Sequence, residues 1–384
     1  MNAAWEEKAL GDVFQLEYGK PLDETHRKPH GRYPVYGANG EKDRTDKFYF
    51  DKHSVIVGRK GSAGELNLTE SKFWPLDVTY FLKFDNRQYD LRFLFYLLKT
   101  LNLPSLAKGV KPGINRNEVY SIVAKIPPLP EQQRIVGILD QAFDGIATAK
   151  ANAEKNLQNA RALFESHLQS VFSKRGDGWV SKTLGDETLL ELIDGDRGTN
   201  YPKASDFHDE GHCLFLNTKN VRPDGFEFES TMFITEKKDR QLRKGKLQRD
   251  DVVLTTRGTI GNIGLYSEDV PYDHMRINSG MLILRTNKRA LLPSFLFELL
   301  RSEIVKDQIT MQTTGAAQPQ LPIKTLVNFT IPVPKNLEDQ RALVAKLHVF
   351  YPKTQRLESI YQQKLAALEA LKKSLLHQAF SGQL

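Results

Sequence analysis

One cysteine, Cys213, stands alone in a chain of 384 residues. That excludes an internal disulfide and any metal site built on several thiolates. Long apolar runs are missing too: FLFYLL and VIVG are core-sized pieces, far short of the roughly 18 residues of a membrane span. The first residues, MNAAWEEKALGD, carry acids where a secretory leader carries a basic flank and an apolar stretch, so the expected compartment is the cytoplasm. Signatures of catalysis are equally scarce. No G-x-x-x-x-G-K-[ST] loop is present, nor a Gly-rich strand-to-helix turn followed by an acid, nor an H-E-x-x-H pair among the nine histidines. Cys213 and His212 are adjacent in sequence, which is not how a thiolate meets its base. The IPPLP stretch lacks the Asn and aromatic residue of an amino-methylating motif. Asp239 and the pair Asp250-Asp251 have no companion pattern and read as exposed turn residues.

What is present is a composition ordinary for a globular protein, 40% hydrophobic and 26% charged, with a net charge of +7. The basic balance suits a polyanion, since Lys and Arg that neutralise phosphates release condensed counterions. The length allows two or three domains with sizeable cores.

The chain is one unit written twice. ALGD at 9–12 returns as TLGD at 183–186, KGSAG at 60–64 as RGTIG at 257–261, and FLFYLLKT at 93–100 as FLFELLRS at 295–302. Gln133-Arg134 pairs with Gln340-Arg341, and SHLQSVFS at 166–173 with SLLHQAFS at 374–381. Order is kept while the offset grows, as small insertions in the second copy would produce. Each copy begins with short β-type runs, Gly, Asn and Pro turns, and one short apolar helix. It ends in a long helix. From Glu131 the apolar residues Ile135, Leu139, Ile146, Ala153, Ala160, Phe164 and Leu168 follow helical steps without an intervening proline. Some 40 residues of helix would reach ~60 Å. The second copy shows the trend at Leu343, Leu347, Phe350, Leu357, Tyr361, Leu368, Leu371 and Leu375, with Pro352 expected to kink or break it near Phe350. A single-striped helix of this length needs a partner, and the other copy is the nearest one. The expected fold is therefore α+β. Two similar α/β domains are separated by two long antiparallel coiled-coil helices, with a pseudo-twofold internal repeat. The boundaries are 1–130 for the first domain, 131–174 for its helix, 175–334 for the second domain and 335–384 for the second helix.

Four loops carry groups suited to nucleic acid: 32–44, 107–116, 195–203 and 312–320. Asn and Gln can bond adenine bidentately, Arg and Lys guanine, and aromatic or methyl groups can meet thymine. The candidates in the first copy are Arg32, Tyr36, Asn39, Lys108, Lys111, Asn115 and Arg116. In the second they are Arg197, Thr199, Tyr201, Lys219, Thr259, Thr313, Thr314, Gln318 and Gln320. Lys60 and Arg257 lead matched Gly-rich turns after β-type runs, where glycine permits close backbone approach and the cation can meet a phosphate or a guanine edge. The loops differ between copies while the frame agrees, the pattern of two modules reading different sequences.

LGD, YPVYGANG, KGSAG and RGTIG, KPGINR, TGAAQPQ, the PPLPEQQRI junction and the terminal SLLHQAFSGQL resemble the DNA-specificity subunit of type I restriction–modification systems, over essentially the whole chain. The resemblance implies two target-recognition domains reading the halves of a bipartite, asymmetric double-stranded DNA site, with the helices as a ruler. It implies no catalysis and no cofactor on this chain. Two modification subunits would methylate adenine with S-adenosylmethionine, and two restriction subunits would add ATP- and Mg-dependent translocation and cleavage, with no membrane involved. Two other readings stand beside it. One is a stand-alone methyltransferase or nuclease, the other a coiled-coil adaptor with two protein-binding heads and no DNA specificity.

Overall fold

The computed structural model of the chain describes residues 5–173, 178–313 and 320–384. It divides into two compact units, Met1–Lys155 with Gln362–Leu384, and Asn156–Tyr361.

In the first unit the strands used below are β1 (Phe14–Tyr18), β2 (Tyr33–Gly37), β3 (Gly40–Thr45), β4 (Ser54–Gly58), β5 (Leu66–Thr69) and β6 (Thr79–Phe84). They are followed by α1 (Leu91–Thr100) and the start of α2 (Leu129–Ser173). An antiparallel sheet runs in the order β1-β6-β4-β5. Every residue of β4, SVIVG, is buried, which explains its apolar run without alternation. Its Ser54 is satisfied by donating to the Leu82 carbonyl at 2.8 Å and accepting from the Leu82 N–H at 2.9 Å. Helix α1 starts at Asp90, whose carboxylate accepts from the N–H groups of Arg92 and Phe93. It turns Phe93, Leu94, Leu97 and Leu98 onto the sheet residues Leu16, Val55, Val57 and Leu82. Tyr33–Thr45, expected as part of a loop, is instead the β2–β3 hairpin, paired in parallel with Trp74–Pro75. The alternation YPVYG was legible as strand, but its Gly and Asn content suggested a turn throughout.

The second unit repeats this plan. Strands β7 (Leu190–Asp194), β8 (Val252–Thr255), β9 (Ile263–Leu265) and β10 (Met281–Thr286) form an antiparallel sheet in the order β7-β10-β8-β9. Here too a smaller sheet contains a parallel pair, Cys213–Leu216 with Met275–Ile277. Helices α3 (Pro293–Arg301), α4 (Glu303–Thr313) and α5 (Leu337–Ser381) complete the described elements used below. Asp239 and Asp251 are not exposed turn residues: both are 1% exposed. Asp239 pairs with the Arg276 Nε and with Lys246 Nζ at 2.6 Å, and Asp251 with Arg285 Nη2 at 2.7 Å. Burial pushes the Asp239 carboxyl up, but the hydrogen bonds from Lys246 and Arg276 outweigh it and hold the group below its usual range.

The junction that opens each long helix has a specific role. Gln132 is fully buried. Its Oε1 accepts from the Asp90 N–H at 2.9 Å, and its Nε2 donates to the carbonyls of Pro127 at 2.8 Å and Gln88 at 3.0 Å. In the second unit Gln340, also fully buried, accepts from Leu292 N–H at 2.9 Å and donates to Ala290 at 3.0 Å and Pro334 at 3.2 Å. The same amide thus ties helix start, preceding strand and short helix together in both copies. The matching residue is Gln132 rather than Gln133, which is exposed.

Within each unit the two long helices run antiparallel. Lys150 bonds Glu369 at 2.6 Å in the first unit, and Arg161 bonds Glu358 at 3.0 Å in the second. Along α5 the inward positions Leu347, Tyr351, Thr354, Glu358, Tyr361, Leu365, Leu368, Lys372, Leu375 and Ala379 alternate steps of four and three, the period of a coiled coil. Leu357 and Leu371, expected on the stripe, lie off this seam and are exposed. Pro352 does not end the helix, which continues to Ser381. The turn is held by its neighbours: Tyr351 packs on Phe164 at 5.0 Å, and buried Thr354 donates to the Tyr351 carbonyl at 2.8 Å.

Candidate nucleic-acid interface

At one end of the strands of each four-stranded sheet, four chain segments are knitted together, mainly by backbone hydrogen bonds. In the first unit the turn after β4 sends the N–H groups of Arg59 and Lys60 to the Val78 carbonyl, at 2.9 and 3.2 Å. The Arg59 carbonyl accepts from Ile114 N–H at 3.0 Å, and Gly61 N–H reaches the Pro112 carbonyl at 3.1 Å. The end of β1 completes the junction, because Gly19 lies where a Cβ would stand 2.0 Å from the Leu76 carbonyl. Only glycine fits there. Gly58 is similarly constrained, with the Ala38 carbonyl 2.7 Å from a Cβ at that site, so the β2–β3 tip abuts the same turn.

The second unit builds the junction again. Thr256 and Arg257 N–H both reach the Gly280 carbonyl, at 2.8 and 3.2 Å, and Leu321 N–H reaches the Thr256 carbonyl at 3.0 Å. A Cβ on Gly195 would stand 2.2 Å from the Asn278 carbonyl. Lys60 bridges to Gly113 as Arg257 bridges to Gln320. The turns KGSAG and RGTIG therefore meet segments that follow them much later in the chain, Lys60 meeting Gly113 and Arg257 meeting Gln320, a pairing the sequence does not reveal.

In the first unit Lys60, Lys108 and Lys111 are exposed on this junction, and Asn39 is exposed at the adjoining hairpin tip. Lys108 is bonded to Glu118 at 2.6 Å. Asn115 caps the short helix Arg116–Tyr120, accepting from Asn117 N–H at 3.0 Å. Arg116 lies over the Tyr18 ring. Tyr36 is a core residue, packed edge-on against Phe73 and closed off by the hairpin. Arg32 precedes the far end of that hairpin, over the Tyr33 ring, and is not brought to the junction.

In the second unit Arg197, Arg257 and Gln320 line one cavity of about 170 Å³. Exposed Lys219 belongs to the turn Thr218–Asn220, which abuts Gly258. The loop at 195–203 is pinned by buried Asp196, which accepts from Gly198 N–H at 2.7 Å and Arg243 N–H at 2.6 Å. Burial pushes that carboxyl up, yet these backbone bonds hold it lower than usual. Thr199 is exposed on the loop, whereas the Tyr201 ring packs on Phe215 and serves the core. Thr259 is exposed, and its carbonyl accepts from the Thr255 hydroxyl. Thr313 turns its hydroxyl back onto the Ile309 carbonyl in the last turn of α4. Thr314 and Gln318 lie outside the described residues.

Sequence reasoning missed several groups. Tyr18, 45% exposed at the end of β1, has the Arg59 and Arg116 guanidinium groups 5.4 and 5.1 Å from its ring centroid. Arg59 is steadied by the Asp77 carbonyl at 2.6 Å. The neighbouring Tyr80 hydroxyl is pushed up to about 12 by burial and by its hydrogen bond with Tyr18. Farther along, Lys20 lies over Tyr49 and Lys72 over Phe48, with Trp74 Nε1 donating to the Lys20 carbonyl at 2.9 Å. Exposed rings interleaved with cations suit a nucleic-acid surface. The available signal was the aromatic–basic alternation of DKFYFDK and SKFW.

A family model described as the type I restriction modification DNA specificity domain matches residues 2–158 and 176–369. The type I restriction enzyme MjaVIII specificity subunit of Methanocaldococcus jannaschii is 25% identical over 409 residues, spanning 99% of this chain and 93% of that one. A solved chain described under "Structural basis underlying complex assembly and conformational transition of the type I R-M system" has a TM-score of 0.78 at 18% identity, over 99% of this chain and 98% of that one. The HsdS subunit from Thermoanaerobacter tengcongensis gives 0.58 at 19%, over 99% and 97%. Both structures share the fold.

Proposed function

The chain belongs to the type I restriction–modification DNA specificity family, and from that premise we propose that it reads a bipartite, asymmetric double-stranded DNA target and scaffolds the subunits that act on it. The observation that carries this reading is the four-segment junction, built twice on one backbone plan with different side chains. One frame with two surfaces supports two different half-sites.

Lys60 and Arg257 are assigned to phosphates or base edges, with Asn39, Lys108, Lys111, Arg116, Arg197, Thr199, Lys219, Thr259 and Gln320 around them. Phosphate contacts set register and affinity, base contacts set sequence. The chain itself performs no chemistry. Its partners are two modification subunits that use S-adenosylmethionine to methylate adenine N6 and two restriction subunits that use ATP and Mg. The complex works in the cytoplasm, and among the described residues no helix is long and apolar enough to cross a membrane.

The test is to co-express the chain with its modification subunit and locate N6-methyladenine across the host genome. A two-part motif with a fixed gap and one methylated adenine in each half is expected, and exchanging residues 175–334 for those of another member should change one half alone. An unmethylated genome despite a stable complex would favour a protein adaptor instead. Methylation by the chain without its partner would make it an enzyme.

A further inference from the structure

The two junctions share their backbone and differ in the side chain that the first strand presents to them. Strand β1 ends on Tyr18 and β7 on Asp194. Their registers correspond, Tyr18 opposite Tyr80 on β6 and Asp194 opposite Leu282 on β10. Each is followed by the glycine that the close carbonyl demands. The frame therefore fixes the Cα of this residue equally in both units and leaves its side chain free to vary.

The chemistry at that position is opposite in the two copies. Tyr18 offers an exposed ring and hydroxyl beside Arg59 and Arg116, and among the described residues no carboxylate pairs with either arginine. Half-buried guanidinium groups that donate to backbone carbonyls but have no carboxylate partner, flanking an aromatic edge, suit a base approached between two phosphates. Asp194 offers an acceptor, with Arg197 Nη2 at 3.2 Å as the neighbouring donor, at a cavity shared with Arg257 and Gln320. A carboxylate there can accept from the exocyclic amine of cytosine, and tyrosine can meet the thymine methyl group.

We propose that this strand-end residue is a specificity-determining position of each module, Tyr18 reading a base edge of one half-site and Asp194 a base edge of the other. The inference rests on the DNA-reading function proposed above and names where discrimination is made.

The experiment uses the complex with the modification subunit and compares wild type, Tyr18→Ala, Tyr18→Phe and Asp194→Ala. The readouts are the methylated motif and the affinity for duplexes carrying each base at each recognised position. Tyr18→Ala is expected to lower discrimination at one position of one half-site by about tenfold or more, leaving the other half unchanged. Asp194→Ala should do the converse. Tyr18→Phe keeps the ring against Arg59, Arg116 and Tyr80 and removes only the hydroxyl, so retained discrimination assigns the reading to the ring and lost discrimination in an intact complex assigns it to the hydroxyl. Motifs identical to wild type for Tyr18→Ala and Asp194→Ala, in intact complexes, would overturn the proposal while leaving the DNA-reading function standing. A wild-type complex without sequence preference would overturn that function, and this inference with it.

Discussion

Replacing Gln132 tests how each recognition unit is fastened to its long helix. The side chain is fully buried and makes three hydrogen bonds of 2.8 to 3.0 Å, to Asp90 N–H and to the Pro127 and Gln88 carbonyls. A net worth near 1 kcal/mol per bond gives ~3 kcal/mol for Gln132→Ala, with a cavity term adding to it. For a unit of this size each kcal/mol moves the midpoint by about 2–4 °C, so a loss of ~6–12 °C is expected. Gln132→Leu restores volume but strands the same N–H and carbonyls, and should recover only a small part. Gln132→Glu keeps the acceptor for Asp90, offers one donor to the two carbonyls when protonated and none when ionised. A carboxyl buried there would titrate above its ordinary value, so that variant should be least damaged at low pH and lose stability as pH rises. Scanning calorimetry of the full chain, with Gln340→Ala as the matching change in the second unit, reads all four. Midpoints within ~2 °C of wild type would refute the view that the glutamine is the fastening.

Further expectations concern other parts of the molecule. Gly195→Ala would drive a Cβ to 2.2 Å from the Asn278 carbonyl. It should cost ~1–3 kcal/mol and weaken recognition of one half-site, read by thermal melting and by binding to half-site variants. Lys60→Ala should weaken binding to all sequences and reduce the slope of log affinity against log salt by about 1, and an unchanged slope would exclude a phosphate contact. Arg301, with Phe164, Phe297 and Tyr351 rings 5.1 to 5.3 Å away, also bonds buried Glu298 at 3.3 Å. Arg301→Met should cost ~3–5 kcal/mol by leaving that buried carboxylate with only the solvent-facing His348 ring, 3.9 Å away. Burial already holds the Glu298 carboxyl above its usual value. The protonated folded state is therefore favoured at low pH and that benefit is lost as pH rises through the folded value, so the variant should suffer more at pH 8 than at pH 5. Asp239 has the opposite sign: held low, its contribution is present above the ordinary carboxylate value and lost as pH falls through the folded one, an effect Asp239→Asn should flatten in acid titrations.

The duplication, the β-type runs and both long helices were legible because periodicity and repetition survive in a single sequence. The sequence pairs Gln133 with Gln340 because the Gln-Arg dipeptide is conspicuous there and the burial of Gln132 is not. Pro352 looked like a break because the rule for isolated helices omits packing from a partner. Tyr36 resembled a binding residue in a Gly-rich segment until the hairpin turned it inward. Tyr18 was hidden for the converse reason: a tyrosine in a strand reads as core, and its exposure depends on where the strand stops. The junction itself could not be read, because its segments are brought together by backbone bonds that carry no residue signature.

The first unit draws its core from both ends of the chain. Phe380 packs on Phe93 at 5.2 Å, and Ala379 is fully buried in the cluster that contains Leu94, Ile135 and Leu139. The second unit is one continuous stretch, Asn156–Tyr361. On the ribosome the order of completion is therefore reversed: the module translated first waits for Gln362–Leu384, made after the whole of the second, before its core can close. Until then it exposes an apolar face to whatever chaperone or partner helix is at hand, and a deletion of Ala379 and Phe380 would injure the module built mainly from Met1–Lys155.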